Sequence, residues 1–102
     1  MRITEALAGD EPVFSFEFFP PKTPEGVRQL FETVEALKAL EPDYVSVTYG
    51  AGGTNRDGTV EIAERIKREH GIETMAHLSC VGETREGLAR ILDRYAAAGI
   101  EN

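Results

Sequence analysis

Residues 13–21 read Val-Phe-Ser-Phe-Glu-Phe-Phe-Pro-Pro, and this run constrains the fold more tightly than any other. Side chains on a strand alternate between faces, so Phe14, Phe16 and Phe18 share one face and Ser15 and Glu17 the other. Pro20 and Pro21 carry no ladder N–H, so the strand must end near Phe19. The phenylalanine face predicts a core strand, and Glu17 falls at its carboxyl end. The rings of Phe16, Phe18 and Phe19 are expected to reduce the hydration of Glu17 and so favour its protonated form.

The remaining chain continues in alternating units. Thr23-Pro24-Glu25 combines a capping hydroxyl, a proline suited to the first helical position and an acid at the positive helix end. Val27, Leu30, Phe31, Val34, Leu37 and Leu40 then recur at helical spacing, until Glu41-Pro42 breaks the pattern. A β-branched, alternating segment at 43–48 predicts the second strand, and a glycine-rich loop follows at 49–55. A second amphipathic helix is predicted at 57–70, with Val60, Ile62, Ala63 and Ile66 as its apolar stripe and Gly71 as its left-handed close. A third strand is predicted at 73–80. Thr84 then caps a third helix bearing Leu88, Ile91, Leu92 and Tyr95, which ends at Gly99. Residues 100–102 read as the approach to a fourth strand, and residues 3–7 as a single helical turn in a polar lead-in.

Strand and helix alternating with short connections predict an α/β fold with a parallel sheet and right-handed crossovers. The 102 residues amount to one domain or part of one. Eighteen acidic against eleven basic groups give a net charge of −7, which argues against nucleic acid or an anionic membrane as the main partner. A single cysteine, Cys80, forms no internal disulfide, so nothing requires an oxidising compartment. No segment reaches membrane-spanning length, and the first ten residues lack an apolar run suited to a signal peptide. The expectation is a cytoplasmic protein.

Buried parallel strands usually read as continuous apolar runs, and these do not. Ser15 and Glu17, then Tyr44, Ser46 and Thr48, then Met75, His77 and Ser79 form a second face opposite Phe14/Phe16/Phe18, Val45/Val47 and Ala76/Leu78. In a parallel sheet Glu17, Thr48 and His77 converge at the carboxyl edge, where α/β folds bind ligands. One polar residue on an inward face is usually a satisfied core group; three at matching positions favour a shared ligand site. As a structural carboxylate Glu17 would need a buried Lys or Arg, and the polar strand faces hold none. As a catalytic acid it needs only its surroundings.

Other features are weaker. His70, His77 and Cys80 do not make a metal-ligand set, so no metal is expected. The glycine-rich loop lacks the lysine of a GxxxxGK[ST] loop and the last glycine of GxGxxG, and a plain βα turn accounts for it equally well. The charges Glu61, Glu64, Arg65, Lys67, Arg68 and Glu69 read as solvated helix surface with some pairing four residues apart.

Three motifs in this order, Phe-Ser-Phe-Glu-Phe-Phe-Pro-Pro-Lys-Thr at 14–23, Asp-Tyr-Val-Ser-Val-Thr-Tyr-Gly-Ala-Gly-Gly at 43–53 and His-Leu-Ser-Cys at 77–80, closely resemble the methylenetetrahydrofolate reductases. The similarity runs from Val13 nearly to the end of the chain. It implies the first three βα units of a (β/α)8 TIM barrel holding FAD at the carboxyl ends of its strands. The implied reaction moves a hydride from NADH or NADPH to FAD and on to 5,10-methylenetetrahydrofolate, giving 5-methyltetrahydrofolate for methionine biosynthesis. Carried over by motif, Glu17 resembles the catalytic glutamate that protonates the folate. Thr48 resembles the residue against the flavin ring, and Tyr49, Ala51 and His77 resemble further FAD contacts. A whole barrel needs about 200 residues or more, so the resemblance implies an amino-terminal portion, inactive by itself. Its uncovered sheet edges predict a homo-oligomer. Two other readings stay open: a non-catalytic α/β binding or self-assembling module, and a barrel enzyme acting on a pterin or aldehyde without flavin.

Overall fold

The computed structural model describes residues 1–49 and 57–102 in full and residue 56 by its backbone. The elements run α1 (Ile3–Leu7), β1 (Ser15–Phe18), α2 (Pro24–Lys38), β2 (Tyr44–Val47), α3 (Arg56–Arg65), β3 (Thr74–Ala76) and α4 (Arg85–Ala97). Among the described residues the strands form one parallel sheet in the order β1-β2-β3, as the alternating pattern predicts. The helix starts are also those read from the sequence. Thr23 Oγ1 accepts the Gly26 N–H at 3.0 Å, and Thr84 Oγ1 accepts the Gly87 N–H at 3.0 Å. Gly71 closes the second predicted helix at φ 67°, a conformation that costs a residue with a Cβ.

The predicted helix at 57–70 changes pitch partway. α3 ends at Arg65, and Ile66–His70 continues it as a wider π-helical turn. At the end of that turn the His70 ring stacks on Phe31 of α2, with centroids 5.6 Å apart and planes 10° from parallel. Arg65 covers Phe31 as well, its guanidinium carbon 3.8 Å from the ring centre. Arg65 is therefore not simply solvated surface, because its charge rests on an aromatic face. Glu64 is also engaged, accepting two 2.6 Å hydrogen bonds from Arg94 that tie α3 to α4.

One face of the sheet carries the core. Val45 and Val47 pack with Leu30, Phe31 and Val34 of α2, with Val60, Ile62 and Ala63 of α3, with Ile66 beyond it, and with Tyr95 of α4. Phe16 and Phe18 lie against the same cluster. Three positions of the predicted apolar faces are exposed instead. Phe14 is 68% exposed because it precedes the paired part of β1, its N–H bonded instead to the Asp43 carboxylate at 2.8 Å. Leu40 lies past the end of α2 and Leu92 faces outward on α4, both exposed. The third strand is shorter than the predicted 73–80, spanning Thr74–Ala76.

Residues 100–102 run alongside β3. The Asn102 carbonyl accepts the Ala76 N–H at 3.0 Å, the contact expected where a fourth strand approaches. The Asn102 side chain accepts the Ile3 N–H at 2.9 Å and donates to the Glu73 carboxylate at 3.0 Å, binding α1 to this corner. Glu73, 8% exposed at its side chain, also accepts from Lys67 Nζ at 2.6 Å and from the Met1 ammonium at 3.1 Å. Burial pushes this carboxyl upward, but the Lys67 and Met1 hydrogen bonds outweigh it and hold Glu73 below the ordinary carboxylate range. A lowered folded-state value stabilises the fold above the unfolded value and ceases to do so as pH falls through the folded one. Urea midpoints are therefore expected to decline as pH drops below about 4.3, the unperturbed glutamate value. The decline should be shallower in Glu73→Gln, and identical pH dependence in the two proteins would contradict this assignment.

Candidate active site

The register decides which side chains meet. Glu17 pairs with Ser46, and Ser46 with Met75, so these three form one row across the sheet. By alternation their face is the one opposite Val45 and Val47, away from the helix-packed core. Ser46 Oγ donates to Glu17 Oε2 at 2.9 Å. His77 brings Nε2 to 3.7 Å from the same oxygen. The sequence-predicted acid and imidazole are thus brought together at the carboxyl end of the sheet.

Backbone bonds set the height of the next row. Thr48 N–H donates to the Phe18 carbonyl at 3.0 Å and His77 N–H to the Val47 carbonyl at 3.0 Å. Thr48 and His77 therefore stand one step above Glu17 and Ser46, at the ends of the neighbouring strands β2 and β3, each half-buried. The Thr48 carbonyl accepts from Thr59 Oγ1 at 2.9 Å, and Thr59 is fully buried on α3, so the helix holds the end of β2 in place. Tyr49 follows, half-buried and near Tyr95. Burial of Tyr95, with the neighbouring Tyr49 phenol acting in the same direction, pushes its hydroxyl up to about 12. Ala51 and the glycine-rich loop at 50–55 lie outside the described residues.

One expectation about Glu17 is corrected. Its side chain is 51% exposed, so the surrounding rings do not dry it. Phe16 and Phe18 point to the other face, as alternation requires, and Phe19 is 73% exposed. What Glu17 has instead is a hydroxyl donor and a nearby imidazole. Sequence reasoning placed Ser46 on this face but not at the site. Its signal was available, since Ser46 has the same parity as Thr48 and lies one residue pair below it.

A surface cleft of about 470 Å³ between α2 and α3, lined in part by Val27, Phe31, Glu35, Arg65 and His70, lies on the helical side of the sheet and takes no part in this row. Among the described residues no group of three or more His, Cys, Asp or Glu side chains is placed to hold a metal ion. Nor, among them, is any helix long and apolar enough to cross a membrane.

A parallel α/β sheet with a hydrogen-bonded acid, a hydroxyl and an imidazole at its carboxyl edge, on the face its helices leave open, has the arrangement in which α/β enzymes bind small molecules. The family model described as methylenetetrahydrofolate reductase matches residues 2–102. The chain is 42% identical over 101 residues to methylenetetrahydrofolate reductase (NADH) 1 of Zea mays, covering 99% of this chain and 17% of that protein. It is 42% identical over 88 residues to the 5,10-methylenetetrahydrofolate reductases of Pectobacterium carotovorum and Escherichia coli, covering 86% of this chain and 30% of each. The chain belongs to the methylenetetrahydrofolate reductase family, and it spans less than a third of the length of these relatives.

Proposed function

We propose that the protein containing this chain is an FAD-dependent oxidoreductase that reduces 5,10-methylenetetrahydrofolate to 5-methyltetrahydrofolate with NAD(P)H. Residues 1–102 would supply the first three βα units of its barrel as one partial domain, inactive by itself. The observation that carries this reading is Glu17, hydrogen-bonded to Ser46 and beside His77 at the carboxyl end of the sheet of a reductase-family chain.

The residues present fit a flavin ring. Thr48 and His77 offer a hydroxyl and an imidazole at one height, half-buried, on the face opposite the helix-packed core. FAD bound there would carry the hydride between the two substrates. Thr48, Tyr49, Ala51 and His77 would hold it, while Glu17 would give a proton to the folate so that its methylene bridge opens. A half-exposed acid suits that role, because it must be reached by a substrate that enters and leaves. We further propose that the full-length protein is a cytoplasmic homo-oligomer.

The test is made on the full-length protein. It is expected to purify yellow, to lose its flavin colour anaerobically on addition of NADH or NADPH, and to regain it on addition of 5,10-methylenetetrahydrofolate. Protein that is colourless and takes up no added FAD, or a reduced flavin that the folate does not reoxidise, would overturn the proposal.

A further inference from the structure

Glu17 has two carboxyl oxygens, and the structure treats them differently. Oε2 accepts the Ser46 hydroxyl at 2.9 Å and is the oxygen approached by His77 Nε2 at 3.7 Å. Among the described residues no hydrogen bond to Oε1 is recorded. Ser46 is 5% exposed, although it lies on the open face of the sheet, and it sits in the middle strand between Glu17 and Met75. Its backbone is fixed by pairing on both sides, with little freedom to move. Glu17, half exposed at the tip of an outer strand, has no comparable restraint of its own.

We infer that Ser46 is the positioning residue of the proposed acid: its hydroxyl holds Oε2 as an acceptor and leaves Oε1 to carry the proton that goes to the folate. This rests on the reading of Glu17 as that acid. A carboxyl oxygen that accepts a hydrogen bond is the poorer seat for a proton, so the acidic hydrogen is directed to the other oxygen. When the proton leaves Oε1 for a folate nitrogen, the negative charge left on the carboxylate is already met by a donor at Oε2. The same bond fixes the side-chain torsions, so that Oε1 points in one direction instead of sampling several. Ser46 does not touch the reacting atoms; it acts through Glu17.

One consequence separates this role from a merely structural one: loss of the hydroxyl must affect only the half-reaction that uses the proton. In the full-length enzyme, Ser46→Ala is expected to leave flavin reduction by NAD(P)H at the wild-type rate and to slow flavin reoxidation by methylenetetrahydrofolate about tenfold. Ser46→Thr, which keeps the hydroxyl on a strand tolerant of β-branching, should restore most of the lost rate.

The inference fails if Ser46→Ala slows both half-reactions equally, or leaves the folate half-reaction unchanged. Should Ser46→Ala not fold, Ser46→Cys is measured in its place. A near-isosteric thiol is a weak donor, so the same selective loss is expected and an unaltered folate half-reaction counts against the proposal. If Glu17→Gln itself spares folate reduction, the reading of Glu17 falls instead. That result is recognisable without any Ser46 variant.

Discussion

In the proposed full-length reductase, Glu17→Gln is expected to reduce flavin with NAD(P)H at a near wild-type rate and to lose folate turnover by about 10²- to 10⁴-fold, the usual contribution of a positioned acid. The asymmetry follows from what glutamine keeps and what it loses. Its amide oxygen can still accept the Ser46 hydroxyl that Oε2 accepts at 2.9 Å, so the local hydrogen bond and the strand pairing survive. The side chain is half exposed, so the substitution buries no new polar group and should not move the thermal midpoint. What disappears is a releasable proton. In the proposed reaction, hydride transfer to flavin does not call for it, whereas opening of the methylene bridge does. Anaerobic stopped-flow measurement of the two half-reactions separates them. Equal losses in both would show that Glu17 shapes the site without supplying a proton.

The placement of Glu17 was legible in the chain alone because parity is a local property, whereas its role toward the folate came from the family resemblance. Once 13–19 is a strand, Glu17 must oppose Phe16 and Phe18. Once three strands run parallel, Glu17, Thr48 and His77 must gather at one edge. The helix starts were equally legible, since Thr23 and Thr84 cap through bonds spanning three residues. What was not legible depends on distances that the sequence does not encode. Phe14 read as core because it continues the period of the rings, yet pairing begins only at Ser15, and the residue before it is left in solvent. The exposure of Glu17 departs from the sequence pattern for a related reason. Neighbours in sequence on a strand are on opposite faces, so the rings beside Glu17 cannot be the groups that surround it. Ser46 escaped notice because its meeting with Glu17 is set by the β1–β2 register, a relation across 29 residues. Arg65 was read as a surface charge, and only the approach of α3 to α2 shows it lying on Phe31.

The second large effect concerns the core. Ile66→Ala is expected to lower the stability of the chain by about 2–5 kcal/mol, and Ile66→Val by about 0.5–1.5 kcal/mol. Ile66 is 0% exposed and opens the widened turn after α3, packed in the cluster that joins α2, β2 and α4. Truncation there leaves a void among groups from several elements at once, and a turn already of π-helical pitch offers little slack for the backbone to close it. Leu92→Ala on α4 removes a similar volume from a residue 54% exposed, and should stay within about 0.5 kcal/mol of wild type. The contrast tests which apolar residues hold the sheet to its helices, since both positions look alike in the helical pattern of the sequence. Domains are typically stable by only about 5–15 kcal/mol, and an open three-stranded sheet has little reserve. Ile66→Ala should therefore shift the urea midpoint by a large fraction of its value with an unchanged slope, provided the transition stays two-state. Comparable midpoints for Ile66→Ala and Leu92→Ala would mean that the cluster around Val45 and Val47 is not what holds the layers together.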